Sequence, residues 1–346
     1  MSFGIPVPIG SIERELGRLW KESGESKSRA SLINLAIYSE KQDALEANSQ
    51  IIESIAGQHA MRALLIQADP TAEGNSAEAW INMHCYLRGP SGGEVCSEQI
   101  AFLLAGQSAR SLQSVVFSHL DSDLPLILWW QADFRPPLDG KIWRGVDRLL
   151  FDSSHWTHPR EQFELLAGIA ETRTILCDLN WARSLPIRQA LAGIFDIPGT
   201  LAELSAITAL QLDHAPGHRT TALLLLGWLV DRLGWQLVLV AEEPQFHDAR
   251  GALITISFRE TGETCINRIL LTSKNATFEL LREAGSNLYV TTAQGNTGIG
   301  KEIPTATRMV RAPREATKEV LLTELARGSR HPLYAKAVKA VDALWE

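Results

Sequence analysis

Short apolar runs alternate with amphipathic segments over the first 200 residues, and this alternation constrains the fold more than any other feature. Apolar runs of strand length lie at residues 31–38, 62–67 and 124–130, and a helical pattern at 47–57 separates the first two. A strand, helix, strand connection returns the chain to the same edge and so pairs its strands in parallel. The alternation continues to about residue 200 and predicts an α/β fold, with a largely parallel sheet flanked by helices.

A β-hairpin is expected inside this α/β region. Two strand-like runs, 79–88 and 94–104, flank the turn sequence GPSGG at 89–93. If the turn is symmetric about Pro90 and Ser91, Cys85 lies directly opposite Cys96.

The character of the chain changes after residue 200. A helical pattern at 220–233 is followed by short runs at 236–241, 252–259, 267–272, 277–281 and 287–292, spaced as in an antiparallel meander. Helical patterns at 313–327 and 332–344 close the chain. We therefore expect two domains: an α/β domain with an inserted hairpin over 1–200, and a smaller α+β domain with C-terminal helices over 201–346.

Composition excludes several classes of partner. The net charge is −7 and no cluster of Lys and Arg is visible, which disfavours nucleic acid. No apolar window is long enough to cross a bilayer and the first residues lack a secretory signal, so we expect no membrane association and a cytoplasmic location. The four cysteines lack the paired spacing of a zinc site, so we expect no metal.

The familiar catalytic signatures are all incomplete. The run GNTGIGK at 295–301 fits half of a phosphate-binding loop, but Glu302 stands where Ser or Thr would bind magnesium. His214 and His218 have the spacing of two metal ligands on a helix, but Pro216 breaks that helix. No glycine fingerprint for a dinucleotide follows the first strand. We therefore expect no enzymatic activity and no cofactor.

Tryptophan is more informative than the titratable groups. Trp129 and Trp130 stand at the carboxyl end of an apolar strand, where open α/β sheets place their ligand crevice. Trp181 follows a later strand, with Arg183 close behind. Exposed Trp beside Arg often anchors a protein interface, whereas most Trp residues belong to the core, and both interpretations stay open.

Several runs resemble the glucose-6-phosphate dehydrogenase assembly protein family, OpcA. The resemblance extends from about residue 28 to 240, and the closing pattern at 313–338 is similar to that family's C-terminal helices. The order and spacing of the runs carry it: RASLINLAIYS (29–39), NSQIIESIAGQHAMRALLI (48–66), VCSEQI (95–100), LPLILWW (124–130) and DLNWARSLPIRQALAGIFD (178–196).

The resemblance implies a non-catalytic partner that binds glucose-6-phosphate dehydrogenase and promotes its active oligomer in the oxidative pentose phosphate pathway. The most recognisable motifs contain the five candidate partner-binding residues Trp129, Trp130, Asp178, Trp181 and Arg183. Whether they contact the dehydrogenase or hold the domain together is left open by the motifs. The segment between the domains is short here, so contacts made by that part can differ.

The resemblance also raises a redox hypothesis for Cys85 and Cys96, because cyanobacterial members of the family look thiol-regulated. Thioredoxin is then the expected reductant. The alternative is a pair of reduced thiols that act as small apolar residues. A different class of function also stays open, a sugar-phosphate-binding protein or uncharacterised enzyme that uses the crevice near Trp129 and Trp130.

Overall fold

The protein consists of two compact units that interleave along the chain. In the computed structural model, the first unit contains Met1–Phe151, Glu164–Cys177 and Leu321–Ser329, and the second contains Asp152–Phe163, Asp178–Val320 and Arg330–Glu346. The domain boundary expected at residue 200 stays a prediction, and the compact units divide the chain elsewhere. The structure describes residues 3–22, 27–29, 31–87, 94–110, 112–136, 138, 140–170, 173–240, 242–283, 285–296, 303, 306–312, 317–328 and 331–345.

The first sheet contains nine strands in the described part of the chain. Their bounds are β1 Ile5–Val7, β2 Lys27–Arg29, β3 Ile33–Ser39, β4 Met61–Asp69, β5 Ser76–Leu87, β6 Glu94–Ala105, β7 Leu126–Trp130, β8 Arg148–Phe151 and β9 Ile175–Asp178.

The order of these strands is that of a doubly wound sheet. Strands β6-β4-β3-β7-β8-β9 are neighbours in that order, and the pairs β4–β6, β3–β4, β3–β7 and β7–β8 are parallel. This is the 3-2-1-4-5-6 order of dinucleotide-binding folds, whose crevice lies outside the carboxyl ends of the first and fourth strands, here β3 and β7. The expected α/β class and the parallel first pair are confirmed.

Burial explains why β3 and β4 read as continuous apolar runs. All residues of β3 after Ile33 are buried, as are the first six residues of β4. A central strand with both faces covered has no solvent face to carry polar residues. The polar Asn34 is accommodated because its amide donates to the backbone oxygens of Asp121 and Leu124.

Helices alternate with the strands along the described part of the chain. Their bounds are α1 Ile12–Glu22, α2 Ala44–Ala56, α3 Gln107–Arg110, α4 Leu112–Val115, α5 Gly140–Arg144, α6 Pro159–Ala170, α7 Leu179–Arg183, α8 Leu185–Ile194, α9 Arg219–Leu233, α10 Thr317–Ala326 and α11 Pro332–Ala340. The helix expected at 108–119 ends early: helical residues reach only Val115, and a 3-10 turn at Phe117–His119 follows, since Ser114, Val115 and Val116 favour helix weakly. No described helix is long and apolar enough to cross a membrane.

The second sheet lies in the second unit. Its strands are β10 Ile207–His214, β11 Gln236–Leu239, β12 Gln245–His247, β13 Leu253–Glu260, β14 Arg268–Ser273, β15 Ala276–Arg282, β16 Leu288–Gly295 and β17 Ala306–Arg311, in the order β11-β12-β13-β10-β14-β15-β16-β17.

The expected antiparallel meander is correct for part of this sheet. Strands β14 to β17 pair antiparallel in sequence, as do β11 to β13. Strand β10, absent from the sequence prediction, inserts between β13 and β14 and pairs in parallel with β13. The crossover through α9 causes this, because a strand that feeds a helix and returns to the same sheet gains a parallel neighbour.

Candidate functional site

Aromatic side chains fill the crevice at the carboxyl ends of β3 and β7. Tyr38 and Trp130 are register partners on these strands, and their rings stack with centroids 3.9 Å apart and planes 12° from parallel. The Phe134 ring stacks on Trp130 with centroids 5.9 Å apart, and Trp143 meets the same indole edge-on at 5.6 Å. Tyr38, Phe134 and Trp143 are buried, whereas Trp130 is partly exposed. Of these four aromatic side chains, Trp130 therefore supplies the exposed surface at this end of the sheet.

A charged rim borders this surface. The Tyr38 hydroxyl donates to the Glu40 carboxylate at 2.9 Å, and Arg135 pairs with the same carboxylate at 2.7 Å. Burial and the neighbouring Glu40 charge raise the pKa of Tyr38, so its hydroxyl stays protonated and remains a donor. The Arg135 side chain is 60% exposed and leaves a cation at the edge of the aromatic surface.

The turn from β3 to α2 is poorly suited to a diphosphate. Residues 39–46, SEKQDALE, contain three acidic residues, one lysine and no glycine. Asp43 adopts a left-handed φ of 59° directly before the helix, and the Gln67 amide oxygen accepts the Leu45 backbone N–H at 3.3 Å. A phosphate needs free amide groups and a positive field at a helix start. Carboxylates here would repel it.

The second unit holds a buried polar network around Asp178. Its carboxylate accepts the Ser153 hydroxyl at 2.6 Å and the backbone N–H groups of Ser153 at 3.1 Å and Asn180 at 2.9 Å. Thr221 of α9 donates to the Asn180 side chain at 2.8 Å. Burial, and then the charge of Asp152, raise the pKa of Asp178 to about 7 despite these donors. The network ties the segment 152–163 to α7 and α9.

Two arginines complete the surroundings of α7. Arg183 pairs with Asp152 at 2.7 Å, and this partner holds the pKa of the Asp152 carboxyl below its usual range. The Arg188 guanidinium lies 3.6 Å from the centroid of the Trp181 ring and donates to the Trp181 backbone oxygen. These contacts are intramolecular and fix α7 against α8.

Burial separates the five predicted partner-binding residues. Trp129, Asp178 and Trp181 are 4%, 2% and 2% exposed, so in this conformation their side chains are too buried to contact a partner protein. Trp130 and Arg183 are partly exposed. The partner-binding assignment stays a prediction for all five.

The predicted cysteine register occurs in the structure. Strands β5 and β6 pair Cys85 with Cys96, and a disulfide joins the two side chains. The Glu94 carboxylate lies beside them, with the three ligand-type atoms within 4.8 Å of one another. A redox role for this pair stays a prediction.

Other sequence candidates behave differently. His214 is buried and its Nδ1 lies 2.9 Å from the Ala215 backbone oxygen, which is a structural contact. Most of the phosphate-loop-like run, residues 297–302, lies outside the described residues. Tyr38, Arg135 and Ser153 were missed by sequence reasoning. Of these three, only Tyr38 could have been found from the sequence, because it is the last residue of the predicted strand 31–38, at whose carboxyl end the crevice was expected.

Comparisons with known proteins match two consecutive regions of the chain. Residues 52–168 match the family described as the glucose-6-phosphate dehydrogenase subunit N-terminal domain, and residues 174–338 match the corresponding C-terminal domain. The chain is thus an α/β protein of the glucose-6-phosphate dehydrogenase subunit class. It belongs to the OpcA family.

Curated relatives agree with this family. The chain is 27% identical over 190 residues to the "Putative OxPP cycle protein OpcA" of Synechococcus elongatus, covering 54% of this chain and 43% of that protein. It is 26% identical over 204 residues to the protein of the same name from Synechocystis sp., covering 58% and 42%. The matched region therefore spans less than half the length of these relatives.

Among solved structures, an aldose-aldose oxidoreductase from Caulobacter crescentus aligns with a TM-score of 0.45 and 12% identity, over 90% of this chain and 96% of that one. An oxidoreductase from Bacillus cereus aligns with a TM-score of 0.46 and 10% identity, over 90% and 95%.

Proposed function

We propose that this protein is a non-catalytic assembly factor that binds glucose-6-phosphate dehydrogenase and promotes its active oligomer. One observation carries the proposal: both halves of the chain, 52–168 and 174–338, match domains described as parts of a glucose-6-phosphate dehydrogenase subunit. The proposed setting is the oxidative pentose phosphate pathway in the cytoplasm.

The crevice between β3 and β7 supports a binding role over a catalytic one. The Tyr38 and Trp130 rings occupy the position that a doubly wound fold reserves for its dinucleotide. The acidic turn beginning at Glu40 adds electrostatic repulsion toward a diphosphate. A site with these residues favours an aromatic contact with another protein.

Within this proposal, Trp130 is the principal contact residue. It is the partly exposed member of the aromatic cluster, and Arg135 beside it carries an exposed cation. Trp and Arg are the residues most enriched among those that dominate binding energy in protein interfaces. Trp129, Asp178 and Trp181 would act indirectly, by holding the backbone that presents such contacts, and Arg183 stays a candidate at its partly exposed position.

The energetic requirement on an activator is strict. It raises activity only if it binds the active or oligomeric form of the dehydrogenase more tightly than the inactive form. A coupling free energy of about 1–3 kcal/mol between the two proteins would change substrate affinity by about 5–150-fold.

The binding test compares Trp130→Ala with a matched tryptophan. The chain and the dehydrogenase from the same organism are mixed and run on size exclusion, with Trp228→Ala as the control because Trp228 is a partly exposed tryptophan on α9. We expect co-elution for the wild type and for Trp228→Ala, and separate peaks for Trp130→Ala. Separate elution of the wild-type proteins would refute the binding proposal. Sugar phosphates would then be the next ligands to test in the crevice.

We propose further that the Cys85–Cys96 disulfide regulates this interaction, with thioredoxin as reductant. The supporting observation is the cross-strand disulfide itself, since a disulfide in a cytoplasmic protein is usually transient and redox-sensing. Dehydrogenase activation is measured before and after dithiothreitol, with a chelator present throughout because Glu94 and the freed thiolates could bind zinc. Equal activation in both states would remove the regulatory role.

A further inference from the structure

We propose that one face of the second sheet is a docking surface for a second copy of this chain, so that the protein is a dimer in solution. We name this surface the open face. It is the side of the sheet that carries Leu239, Leu253, Leu270, Leu281, Val290 and Met309. The inference does not depend on the proposed dehydrogenase partner.

Helices cover the opposite face of the same sheet. Phe195, which directly follows α8, contacts Phe278 with ring centroids 4.8 Å apart, and the Arg219 guanidinium at the start of α9 lies 4.8 Å from the Phe258 ring centroid. Phe278 and the neighbouring Leu271 are fully buried there. Side chains alternate along a strand, so the residues between these positions point to the open face.

Large apolar side chains remain exposed on the open face. Leu281, Val290 and Met309 are successive register partners across β15, β16 and β17, and Leu281 and Met309 are 43% and 66% exposed. At the other end of the sheet, Leu239 and Leu253 are 48% and 46% exposed. Clustered exposed apolar residues of this kind mark interaction surfaces on soluble proteins.

The charge pattern suits a partner of the same sequence. None of the eight strands contains a lysine, and interfaces are depleted of lysine relative to other surfaces. Two of the charges on the open face, Arg268 and Glu279, pair with each other at 2.5 Å. Gln211 donates to Asp213 at 2.8 Å on the same face. Two copies of a chain with net charge −7 would repel, and a nearly neutral face is where they can meet.

The size of the open face matches what a stable dimer needs. Eight strands about 4.8 Å apart give a width of about 34 Å, and strands of about six residues give a length of about 20 Å. The projected area is thus roughly 700 Å², and side-chain relief makes the accessible area larger. Standard interfaces bury about 800 Å² on each partner.

The test measures the mass of the isolated chain by light scattering after size exclusion. We expect twice the chain mass of 38.2 kDa for the wild type. The variants Leu281→Arg and Met309→Arg, both at exposed positions, should elute at the mass of one chain. The matched control is Leu32→Arg, an exposed leucine of the first unit that is 71% exposed and should stay dimeric. Circular dichroism of each variant verifies that it is folded.

Three outcomes would overturn the proposal. A wild-type mass of one chain at about 50 μM, above the micromolar limit expected for such an interface, would exclude the dimer. Dimeric Leu281→Arg and Met309→Arg proteins would place the interface elsewhere. A monomeric wild type whose open-face variants lose binding to the dehydrogenase would assign the surface to that partner instead.

Discussion

Replacing Asp178 by asparagine should change how the stability of the second unit depends on pH. The carboxyl is buried, and its pKa is raised to about 7 in the folded protein from 3.8 in its ordinary state, chiefly by burial. A raised pKa means that the folded state binds the proton more tightly than the unfolded state. The stabilising contribution of the protonated carboxyl is therefore complete below about pH 4 and is lost as the pH rises through 7. Asparagine keeps the shape of the side chain and removes the titration.

The magnitude follows from these two values. Between pH 5 and pH 8, a carboxyl with a folded pKa of about 7 loses roughly 3 kcal/mol of stabilising free energy. The donors from Ser153 and Asn180 favour the charged form, and the pKa of about 7 already includes their effect. Asn180 can still donate its backbone N–H to the oxygen of an asparagine at position 178, so the start of α7 keeps its cap.

The assay is urea unfolding followed by tryptophan fluorescence at several values between pH 5 and pH 8, for the wild type and Asp178→Asn. Both proteins contain the same histidines, so the difference between their midpoints isolates position 178. We expect the wild type to lose stability relative to the variant as the pH rises. A difference that stays constant with pH, or grows in the opposite direction, would refute the argument that burial dominates the protonation of Asp178.

Three further predictions concern the same elements. Ser153→Ala removes a 2.6 Å hydrogen bond to a buried carboxylate and should lower the unfolding free energy at pH 8 by about 1–3 kcal/mol, measured by urea unfolding; an unchanged midpoint would contradict it. Arg188→Lys loses the planar stack on the Trp181 indole and should lower the thermal midpoint, whereas Arg232→Lys, at an exposed surface pair, should not. Reduction of the disulfide frees a loop with a sequence separation of 11 residues and should cost about 3 kcal/mol; Cys85→Ser should match the reduced wild type in a thermal scan, and a Cys85→Ser protein as stable as the oxidised wild type would disprove this.

The parallel sheet was predictable because its strands are buried on both faces. The sequences of β3 and β7 are continuous apolar runs. The helical pattern between β3 and β4 indicates that these two strands run parallel. The hairpin could be predicted equally well. Assuming a turn symmetric about Pro90 and Ser91 is enough to predict which residues of β5 and β6 face each other. Local pattern and connection rules are enough for these elements.

The position of β10 could not be predicted in the same way. Its residues alternate only partly between buried and exposed, and its place between β13 and β14 depends on contacts with strands about 45–65 residues further along the chain. The early end of the helix expected at 108–119 likewise follows from weak local helix propensity, and tertiary packing decides the conformation of such a segment.

The candidate site was only partly visible in the sequence. Trp130 was identified from its position at a strand end, but its stack on Tyr38 requires the register between β3 and β7. Ser153 and Asp178 are 25 residues apart, and no motif links them. Burial of Trp129 cannot be derived from strand alternation alone, because both faces of this sheet are covered. Trp181 lies on the short helix α7, where strand alternation gives no information.

The activator role can be tested by measuring the glucose-6-phosphate dependence of NADP reduction by the same organism's dehydrogenase, with and without this protein. We expect no turnover by the chain alone, and a higher apparent substrate affinity or maximal rate in the mixture. Identical rates with and without the chain would contradict the activator role, and NADP reduction by the chain alone would contradict its non-catalytic character.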